Sequence, residues 1–189
     1  YRAIIRGELG IPESSTLILF VGSGFERKGL KALLGATQHF CSEDWRLLIV
    51  GKGKWSKYLE FAPLNLRSRI LYKEPIPDIE NYYSAADIFA LPSIYEPFGN
   101  ANLEALAAGL PIITTRYCGS ADIIEHGQDG LIVERPESSQ EIADNINLLF
   151  DPVLRSYMGQ NGRTLAENFS VKKNTFEMLK IYQEVFAAK

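Results

Sequence analysis

Two adjacent cations, Arg27 and Lys28, follow an apolar run and open a segment of helical periodicity. Gly22 and Gly24 in the same stretch let the backbone pass close to a ligand. The start of a helix already favours an anion, so two cations placed there are unfavourable unless an anion offsets them. Their placement indicates a phosphate-bearing ligand, and the alternative interpretation is a solvated Arg-Lys pair on a turn.

Named motifs for phosphate and metal match the chain poorly. Arg27 stands where the dinucleotide-binding fingerprint requires glycine, and no Gly-Lys-Ser/Thr sequence follows to complete a P-loop. The nearest approximation to an Asp-x-Asp metal motif, Asp-Ile-Glu at residues 78–80, is interpreted as the cap and first turn of a helix. His39 and His126 have no partner at metal-ligand spacing. We therefore expect neither a metal site nor a cofactor.

Two carboxylates follow a later apolar run. Glu96 lies on the loop after that run, and Glu104 lies on the first turns of the next predicted helix, between Leu103 and Ala105. A charge among apolar neighbours is costly unless it is satisfied, and the hydroxyl groups of a ribose or hexose would satisfy it. Gly99, where the loop joins the helix, leaves backbone N–H groups open toward the same space. The alternative is that Glu104 faces solvent or pairs with a nearby cation.

The elements that must position these residues alternate along the chain. The predicted strands are residues 17–22, 46–51, 70–73, 87–91, 111–115 and 130–134. The predicted helices are residues 28–40, 56–65, 78–86, 100–108, 121–126, 138–150, 152–168 and 171–187, with start signals at Ser138 and at Asp151 before Pro152. This pattern predicts an α/β fold, a Rossmann-like open parallel sheet of about six strands with helices on both faces and helices appended at the C-terminus. Such sheets bind ligands at the carboxyl ends of their strands, where the charged loops lie.

Composition narrows the class of protein. The 189 residues fit one domain with a sizeable core, and 46% hydrophobic with 23% charged residues indicate neither disorder nor a fibrous protein. A formal net charge of -3 argues against a nucleic-acid partner. Cys41 and Cys118 are too few for a disulfide framework and indicate a reducing compartment, and no apolar run approaches the ~18 residues that span a bilayer. Because the chain begins at Tyr1, we expect it to be a segment of a longer protein.

The combined pattern resembles the signature of the retaining glycosyltransferases of family GT4. Seven residues separate Glu96 from Glu104, with Ala-Asp at 86–87 and Pro-Ser at 92–93 before them and Ala-Gly-Leu-Pro at 108–111 after them. The first loop, Val-Gly-Ser-Gly-Phe-Glu-Arg-Lys-Gly, is similar to the branch of bacterial lipopolysaccharide core glucosyltransferases. GT4 enzymes have the GT-B fold, two Rossmann-like domains with the active site in the cleft between them. The resemblance therefore implies that this chain is one half of a GT-B enzyme.

The resemblance also implies roles for individual residues. Arg27 and Lys28 would bind the donor diphosphate and stabilise the charge that develops on the leaving nucleoside diphosphate. Glu96 would bind the transferred sugar, which makes Glu96, Arg27 and Lys28 the predicted catalytic set. Glu104 would bind the ribose hydroxyl groups. The remaining predicted substrate-binding residues lie on the loops around them: Gly22, Ser23, Gly24, Ile76, Phe98, Gly99, Asn100, Ala101 and Gly119.

The resemblance further implies roles for the loops that contain Gly99, Ile76 and Gly119. Backbone N–H groups near Gly99 would hold sugar hydroxyl groups or phosphate, and the loop that contains Ile76 would contact the nucleobase. Gly119 resembles the glycine at which family members bring another loop to the donor, with Asp122 where Glu is more usual. Asn100 and Asn102 also replace residues that are commonly apolar in the family. These departures bear on the identity of the sugar more than on the fold.

We therefore predict that residues 1–189 form the donor-binding, C-terminal domain of a hexosyltransferase whose N-terminal acceptor domain is absent. The donor would be a UDP-, GDP- or ADP-sugar, with UDP-glucose the leading candidate, and the acceptor a glycan or lipopolysaccharide-type molecule. The chain alone would bind donor but turn over poorly. We expect a cytoplasmic protein, and the resemblance allows peripheral attachment of the full-length protein to the inner face of the cytoplasmic membrane.

Two other functions remain open at this point. A sugar-nucleotide epimerase shares the two-domain architecture, but it needs acid/base residues at the sugar, and the sequence shows no convincing His or Lys near Glu96. A non-catalytic nucleotide-binding module is the second alternative. Failure of nucleotide sugars to bind would favour that module.

Overall fold

A computed structural model of the chain describes residues 1–187 and contains a parallel sheet of six strands. The strand order is β3-β2-β1-β4-β5-β6. The strands are β1 (Thr16–Val21), β2 (Trp45–Val50), β3 (Ile70–Lys73), β4 (Ile88–Ala90), β5 (Ile112–Thr115) and β6 (Gly130–Val133). The predicted Rossmann-like sheet is confirmed. Because the order reverses between β1 and β4, the loops that leave these two strands diverge and form a crevice at the carboxyl edge.

The central strands are apolar along their whole length. In β1, Leu17, Ile18, Leu19 and Phe20 are all completely buried, and β2 shows the same continuous burial from Leu47 onward. A parallel sheet that is covered on both faces requires such runs, because neither face of the strand meets water. This burial makes the first strand identifiable from sequence and fixes the point at which the loop carrying Arg27 begins.

Helices cover both faces of the sheet. On one face, α2 (Leu30–Ala36) packs against α5 (Ser139–Leu148). On the other face, α4 (Asn100–Ala107) packs against α3 (Ile79–Ala85) and α6 (Pro152–Ala166), and α1 (Arg2–Glu8) packs against α3. The last helix, α7 (Val171–Ala187), has no buried residue. Residues 188 and 189 of the predicted domain lie outside the described residues.

The helix predicted over residues 56–65 is wrong. The structure forms three short 3-10 helices instead, Trp55–Lys57, Leu59–Phe61 and Leu64–Arg69. Pro63 has an extended backbone and lacks the N–H that a continuing helix would need. The connection between β2 and β3 is therefore a chain of tight turns on the same face as α2.

Two other helix predictions need correction. Residues 121–126 do not form an α-helix; the segment Gly119–Ile123 is a 3-10 helix, and the N–H of Glu125 donates to Asp129 Oδ1 at 2.8 Å instead of to a helical carbonyl. The helix predicted over 28–40 is shortened to α2 and a 3-10 turn at Thr37–His39. Its start moves to residue 30 because Gly29 has a left-handed backbone with φ 75°.

Helix α1 has no counterpart among the predicted elements. It is held by Arg6, whose side chain is 1% exposed and whose Nη1 donates to the carbonyl oxygen of Ala85 at 2.9 Å and to Asp87 Oδ2 at 3.2 Å. Both acceptors lie about 80 residues along the chain, so local periodicity carries no sign of this docking.

The start signals of α5 and α6 are confirmed. Ser138 Oγ accepts a hydrogen bond from the N–H of Glu141 at 3.2 Å, and Asp151 Oδ1 accepts one from the N–H of Val153 at 2.8 Å. Both satisfy N–H groups that the first turn of a helix leaves unpaired. Among residues 1–187, no helix has the length and apolar character to cross a membrane.

Candidate functional site

The loops after β1 and β4 meet through an ion-pair cluster. Arg27 Nη1 donates to Glu96 Oε2 at 2.7 Å and to the carbonyl oxygen of Tyr95 at 2.9 Å. Lys28 Nζ also contacts Glu96 Oε2. The structure thus brings Arg27, Lys28 and Glu96 together, and two cations share one carboxylate. The cluster keeps a net positive charge.

Burial differs across this cluster. The side chains of Lys28 and Glu96 are 11% and 13% exposed, whereas that of Arg27 is 47% exposed. Burial by itself raises the pKa of Glu96, but the hydrogen bonds and charges of Lys28 and Arg27 outweigh it, so the pKa lies below the ordinary glutamate value. Glu96 is therefore ionised at neutral pH and can only accept hydrogen bonds.

Close backbone packing fixes the positions of these side chains. A Cβ on Gly29 would lie 1.9 Å from the carbonyl oxygen of Pro92, and the N–H of Ile94 donates to the carbonyl oxygen of Arg27 at 2.8 Å. The stem of Lys28 lies over Gly22, where a Cβ would be 3.3 Å from the lysine Cε. Glycine at position 29 therefore allows the two loops to touch, and glycine at position 22 leaves room for the stem of Lys28.

Gly24 and Ser23 are the other two predicted substrate-binding residues of the first loop. Gly24 has a left-handed backbone with φ 75°. Ser23 Oγ accepts a hydrogen bond from the N–H of Lys52, which follows β2, at 3.0 Å. The predicted ligand-binding hydroxyl group of Ser23 thus already ties the first loop to the next one.

The loop after β5 pairs with the loop that carries Glu96. The N–H of Glu96 donates to Tyr117 at 3.1 Å, the N–H of Gly119 donates to Glu96 at 2.9 Å, and the N–H of Ser120 donates to Phe98 at 2.9 Å, each to a carbonyl oxygen. A Cβ on Gly119 would lie 2.0 Å from the carbonyl oxygen of Pro97. Gly119 therefore contacts the Glu96 loop directly, and the half-buried Phe98 packs at this junction.

Helix α4 begins at the same place. Gly99 is buried with φ 86°, and a Cβ there would lie 2.8 Å from Cys118 Sγ. Within residues 1–187, the N–H groups of Gly99, Asn100 and Ala101 have no hydrogen-bond acceptor. These three N–H groups can bind an anion or hydroxyl groups at the carboxyl edge.

Glu104 is exposed, which agrees with the alternative that its side chain faces solvent. It makes no ion pair with Arg27 or Lys28, and it lies one helical turn beyond Asn100, about 6 Å along α4. Tyr83, which is buried on α3, donates its hydroxyl hydrogen to Glu104 Oε2 at 2.8 Å. Burial, and then the charge of Glu104 and this hydrogen bond, raise the pKa of Tyr83.

Ile76 and Asp122 lie away from the cluster of Arg27, Lys28 and Glu96. Ile76 is half-buried in the loop after β3, two strands from β1, and so about 10 Å across the sheet. Asp122 is exposed and lines a separate cleft with Arg116 and Glu134 at the β6 edge. Among residues 1–187, no group of three or more His, Cys, Asp or Glu side chains is arranged to hold a metal ion.

A buried polar cluster beneath this site was not predicted. Asn102 is completely buried, and its Nδ2 donates to Ser120 Oγ at 2.7 Å and to Thr114 Oγ1 at 2.9 Å. The signal in the sequence was an asparagine at a position that is commonly apolar. A local pattern cannot connect Asn102 to its partners, which lie 12 and 18 positions further along the chain. The cluster attaches the loop after β5 to the first turn of α4.

The fold is that of a Rossmann-like α/β domain with a charged crevice at the carboxyl edge of its sheet, and comparison with known proteins identifies the family. The chain belongs to the glycosyl transferases group 1 family, whose model matches residues 2–165. The resemblance predicted from the sequence is confirmed.

Individual relatives agree with this membership. The lipopolysaccharide glucosyltransferase WaaG of Escherichia coli (strain K12) is 32% identical over 171 residues, which cover 88% of this chain and 46% of the relative. The uncharacterized glycosyltransferase MJ1607 of Methanocaldococcus jannaschii is 30% identical over 190 residues, 95% of this chain and 48% of the relative. The chain thus spans about half the length of these curated relatives.

Solved structures show the same architecture. A crystal structure of WaaG, a glycosyltransferase involved in lipopolysaccharide biosynthesis, matches with a TM-score of 0.82 and 31% identity over 90% of this chain and 47% of that chain. The C-terminal domain of a glycosyl transferase group 1 family protein (LpcC) from Francisella tularensis matches with a TM-score of 0.76 and 27% identity. That match covers 89% of this chain and 92% of the LpcC domain.

Proposed function

We propose that this chain is the donor-binding, C-terminal domain of a retaining hexosyltransferase that uses a nucleotide diphosphate sugar, with UDP-glucose the leading candidate. The observation that carries the proposal is the contact of Arg27 and Lys28 with Glu96 at the crevice between β1 and β4. The near-complete coverage of the LpcC C-terminal domain supports the domain assignment. The likeness to WaaG supports a glucose donor and a glycan or lipopolysaccharide-type acceptor.

In the proposed complex, the diphosphate lies against Arg27 and Lys28. Arg27 uses only Nη1 for its contacts within residues 1–187, so Nε and Nη2 remain for phosphate oxygens. The two cations exceed the single carboxylate by one positive charge, so the cluster attracts the negatively charged diphosphate. As the bond to the sugar breaks, the same cations stabilise the negative charge on the departing nucleoside diphosphate, without a metal ion.

Glu96 and Glu104 are assigned to the sugars. Because Glu96 is held ionised, it accepts hydrogen bonds from hydroxyl groups of the transferred hexose and does not act as a proton donor. Glu104, oriented by Tyr83, accepts hydrogen bonds from the ribose. The N–H groups of residues 99–101 bind phosphate or sugar hydroxyl groups, and the loop of Ile76 contacts the base.

An epimerase would need acid/base residues near the carboxylate of Glu96. Lys28 contacts Glu96, so the expectation that no lysine lies near this carboxylate is wrong. A transferase remains the better proposal because MJ1607 and WaaG, two of the similar proteins, are glycosyltransferases. The acceptor site, by the same proposal, belongs to the N-terminal domain, so this chain by itself binds donor and turns over poorly.

The test is a thermal-shift screen with UDP-, GDP- and ADP-glucose on this chain, its Arg27→Ala variant and, as control, Arg163→Ala, which changes an exposed side chain of α6. Bound at a hundred times its dissociation constant, UDP-glucose raises the melting temperature by about 5–10 °C. Losing the charge-assisted contact in Arg27→Ala weakens binding by roughly 10–100-fold, since Lys28 still pairs with Glu96. No shift with any of the three ligands, or equal shifts in both variants, would contradict the proposal and favour a non-catalytic module.

A further inference from the structure

A tyrosine hydroxyl group from α3 meets the carboxylate of Glu104 at the start of α4. Tyr83 is 2% exposed, and its hydroxyl group donates to Glu104 Oε2 at 2.8 Å. The carbonyl oxygen of Ala101 lies 3.4 Å from the same hydroxyl group. A phenol carries one hydrogen, and the shorter contact with the carboxylate takes it. Tyr83 therefore binds Glu104 from the protein interior.

The carboxylate of Glu104 has no second side chain to fix it. Among residues 1–187, Tyr83 is the one side chain that hydrogen-bonds to this carboxylate, and Glu104 takes part in no ion pair. Because Glu104 is exposed, a ligand that ordered its side chain without help would lose conformational entropy. The hydrogen bond from Tyr83 orders the side chain beforehand, which lowers that cost.

Tyr83 is itself held in place. Its ring packs against Phe89 of β4 with the ring centroids 5.7 Å apart. The last turn of α3 is tied to α1, because Arg6 Nη1 donates to the carbonyl oxygen of Ala85 at 2.9 Å. A tyrosine side chain has only two rotatable angles to order, so a buried ring on an anchored helix gives the hydroxyl group a defined position.

The hydroxyl group of Tyr83 is a permanent donor. Burial, and then the charge of Glu104 and the shared hydrogen bond, raise the pKa of Tyr83 above the ordinary tyrosine value. The hydroxyl group therefore keeps its hydrogen at neutral pH. A carboxylate has about four acceptor sites, and one hydrogen bond from Tyr83 leaves sites free on both oxygens. These free sites suit a ligand that offers two neighbouring hydroxyl groups.

We propose that Tyr83 is a positioning residue that makes the site selective for a ribonucleotide, an inference that rests on the proposed function. By fixing Glu104, Tyr83 directs the carboxylate at the two adjacent hydroxyl groups of the ribose. A nucleotide without these hydroxyl groups gains nothing from the ordered carboxylate. Tyr83 thus raises affinity through the ribose alone, and not through the diphosphate or the base.

The test measures the affinity of UDP and of 2′,3′-dideoxy-UDP, which lacks both ribose hydroxyl groups, by isothermal titration calorimetry. The variant is Tyr83→Phe, and the matched control is Tyr82→Phe. Tyr82 is buried on the same helix, and within residues 1–187 its hydroxyl group makes no hydrogen bond. We expect the wild type and the control to prefer UDP by on the order of 100-fold. In Tyr83→Phe, UDP binds roughly 3–10-fold more weakly and the dideoxy compound binds as before.

A second comparison shows whether Tyr83 acts through Glu104. We expect Glu104→Ala to lose most of the preference for UDP, and Tyr83→Phe to weaken UDP binding no further when it is added to Glu104→Ala. Melting temperatures check that each variant folds.

Several outcomes would overturn the inference. Equal weakening of both nucleotides in Tyr83→Phe would show a general loosening of α3, and additive effects of the two substitutions would show that Tyr83 does not act through Glu104. A preference for UDP that survives in Tyr83→Phe at full strength would reject the role of Tyr83 and leave the proposed function standing. A wild-type chain that does not bind UDP would instead contradict the proposed function, and this inference with it.

Discussion

A single carboxylate oxygen of Glu96 serves two cations from the neighbouring loop. The pairing stabilises the folded chain only while Glu96 is ionised, and it holds the pKa of Glu96 below the value in the unfolded chain. The stabilisation is therefore fully present above the unfolded pKa and disappears as the pH falls through the folded pKa.

The first prediction concerns how the stabilisation by these ion pairs depends on pH. Relative to Glu96→Gln, the wild type is more stable at pH 7 by on the order of 1 kcal/mol, a value reduced by the solvent exposure of Arg27. The advantage shrinks as the pH falls below about 4.3, the ordinary glutamate value. Urea unfolding between pH 7 and pH 3 measures it, with Glu177→Gln on exposed α7 as control. A difference that stays constant across this range would rule out the ion pair as its source.

At the scale of elements, the site depends on three loops that touch through small residues. Gly29 lies against Pro92, Gly119 lies against Pro97, and Gly99 lies against Cys118. Each contact joins loops from different strands, so the site is assembled by backbone contact before any side chain meets a ligand. The buried Asn102 cluster adds a polar tie between the loop after β5 and α4.

The second prediction tests this junction. Gly29→Ala places a Cβ 1.9 Å from a backbone oxygen at a left-handed residue, so we expect a loss of about 2–4 kcal/mol in unfolding free energy. Weaker UDP-glucose binding follows, because Arg27 and Lys28 shift with the loop. Gly7→Ala is the control, since a Cβ there meets nothing within 4 Å and the residue lies in α1, where alanine is favoured by up to ~1 kcal/mol. Equal urea midpoints for the two variants would show that the loops are not in close contact.

For the whole molecule, the unusual element is α7. All of its residues are exposed, among them large apolar ones: Phe176, Met178, Leu179, Ile181, Tyr182, Val185 and Phe186. An exposed apolar surface of this kind is typical of a site of protein–protein contact. We propose that the N-terminal domain of the full-length protein covers it, and that copies of the isolated chain cover it for one another.

The third prediction concerns this helix. We expect the 189-residue chain to dimerise at high concentration and the Phe176→Glu/Leu179→Glu variant to be monomeric. Because the variant loses no core contact, its melting temperature stays within about 2 °C of the wild-type value. Sedimentation velocity measures the change, and Lys172→Glu/Lys173→Glu serves as the charge-changing control. A wild-type chain that stays monomeric, or a dimer that survives both apolar substitutions, would contradict the role of α7.

The amino-acid sequence by itself determined the strands, their assembly into a parallel sheet and the loops on which the cations and carboxylates lie. Each of the six strands was predicted within one residue at either end. The central strands are identifiable because a strand covered on both faces is largely apolar. The caps at Ser138 and Asp151 were equally readable, since capping depends on residues three positions apart or fewer.

Only the tertiary structure decided which groups meet. Helix α1 is held by Arg6 against residues far along the chain, and Glu104 is exposed and not enclosed. Periodicity reports which side of an element is apolar, but not what covers that side or which loops converge at its end. Those outcomes depend on packing between distant segments, and a local pattern contains no information about them.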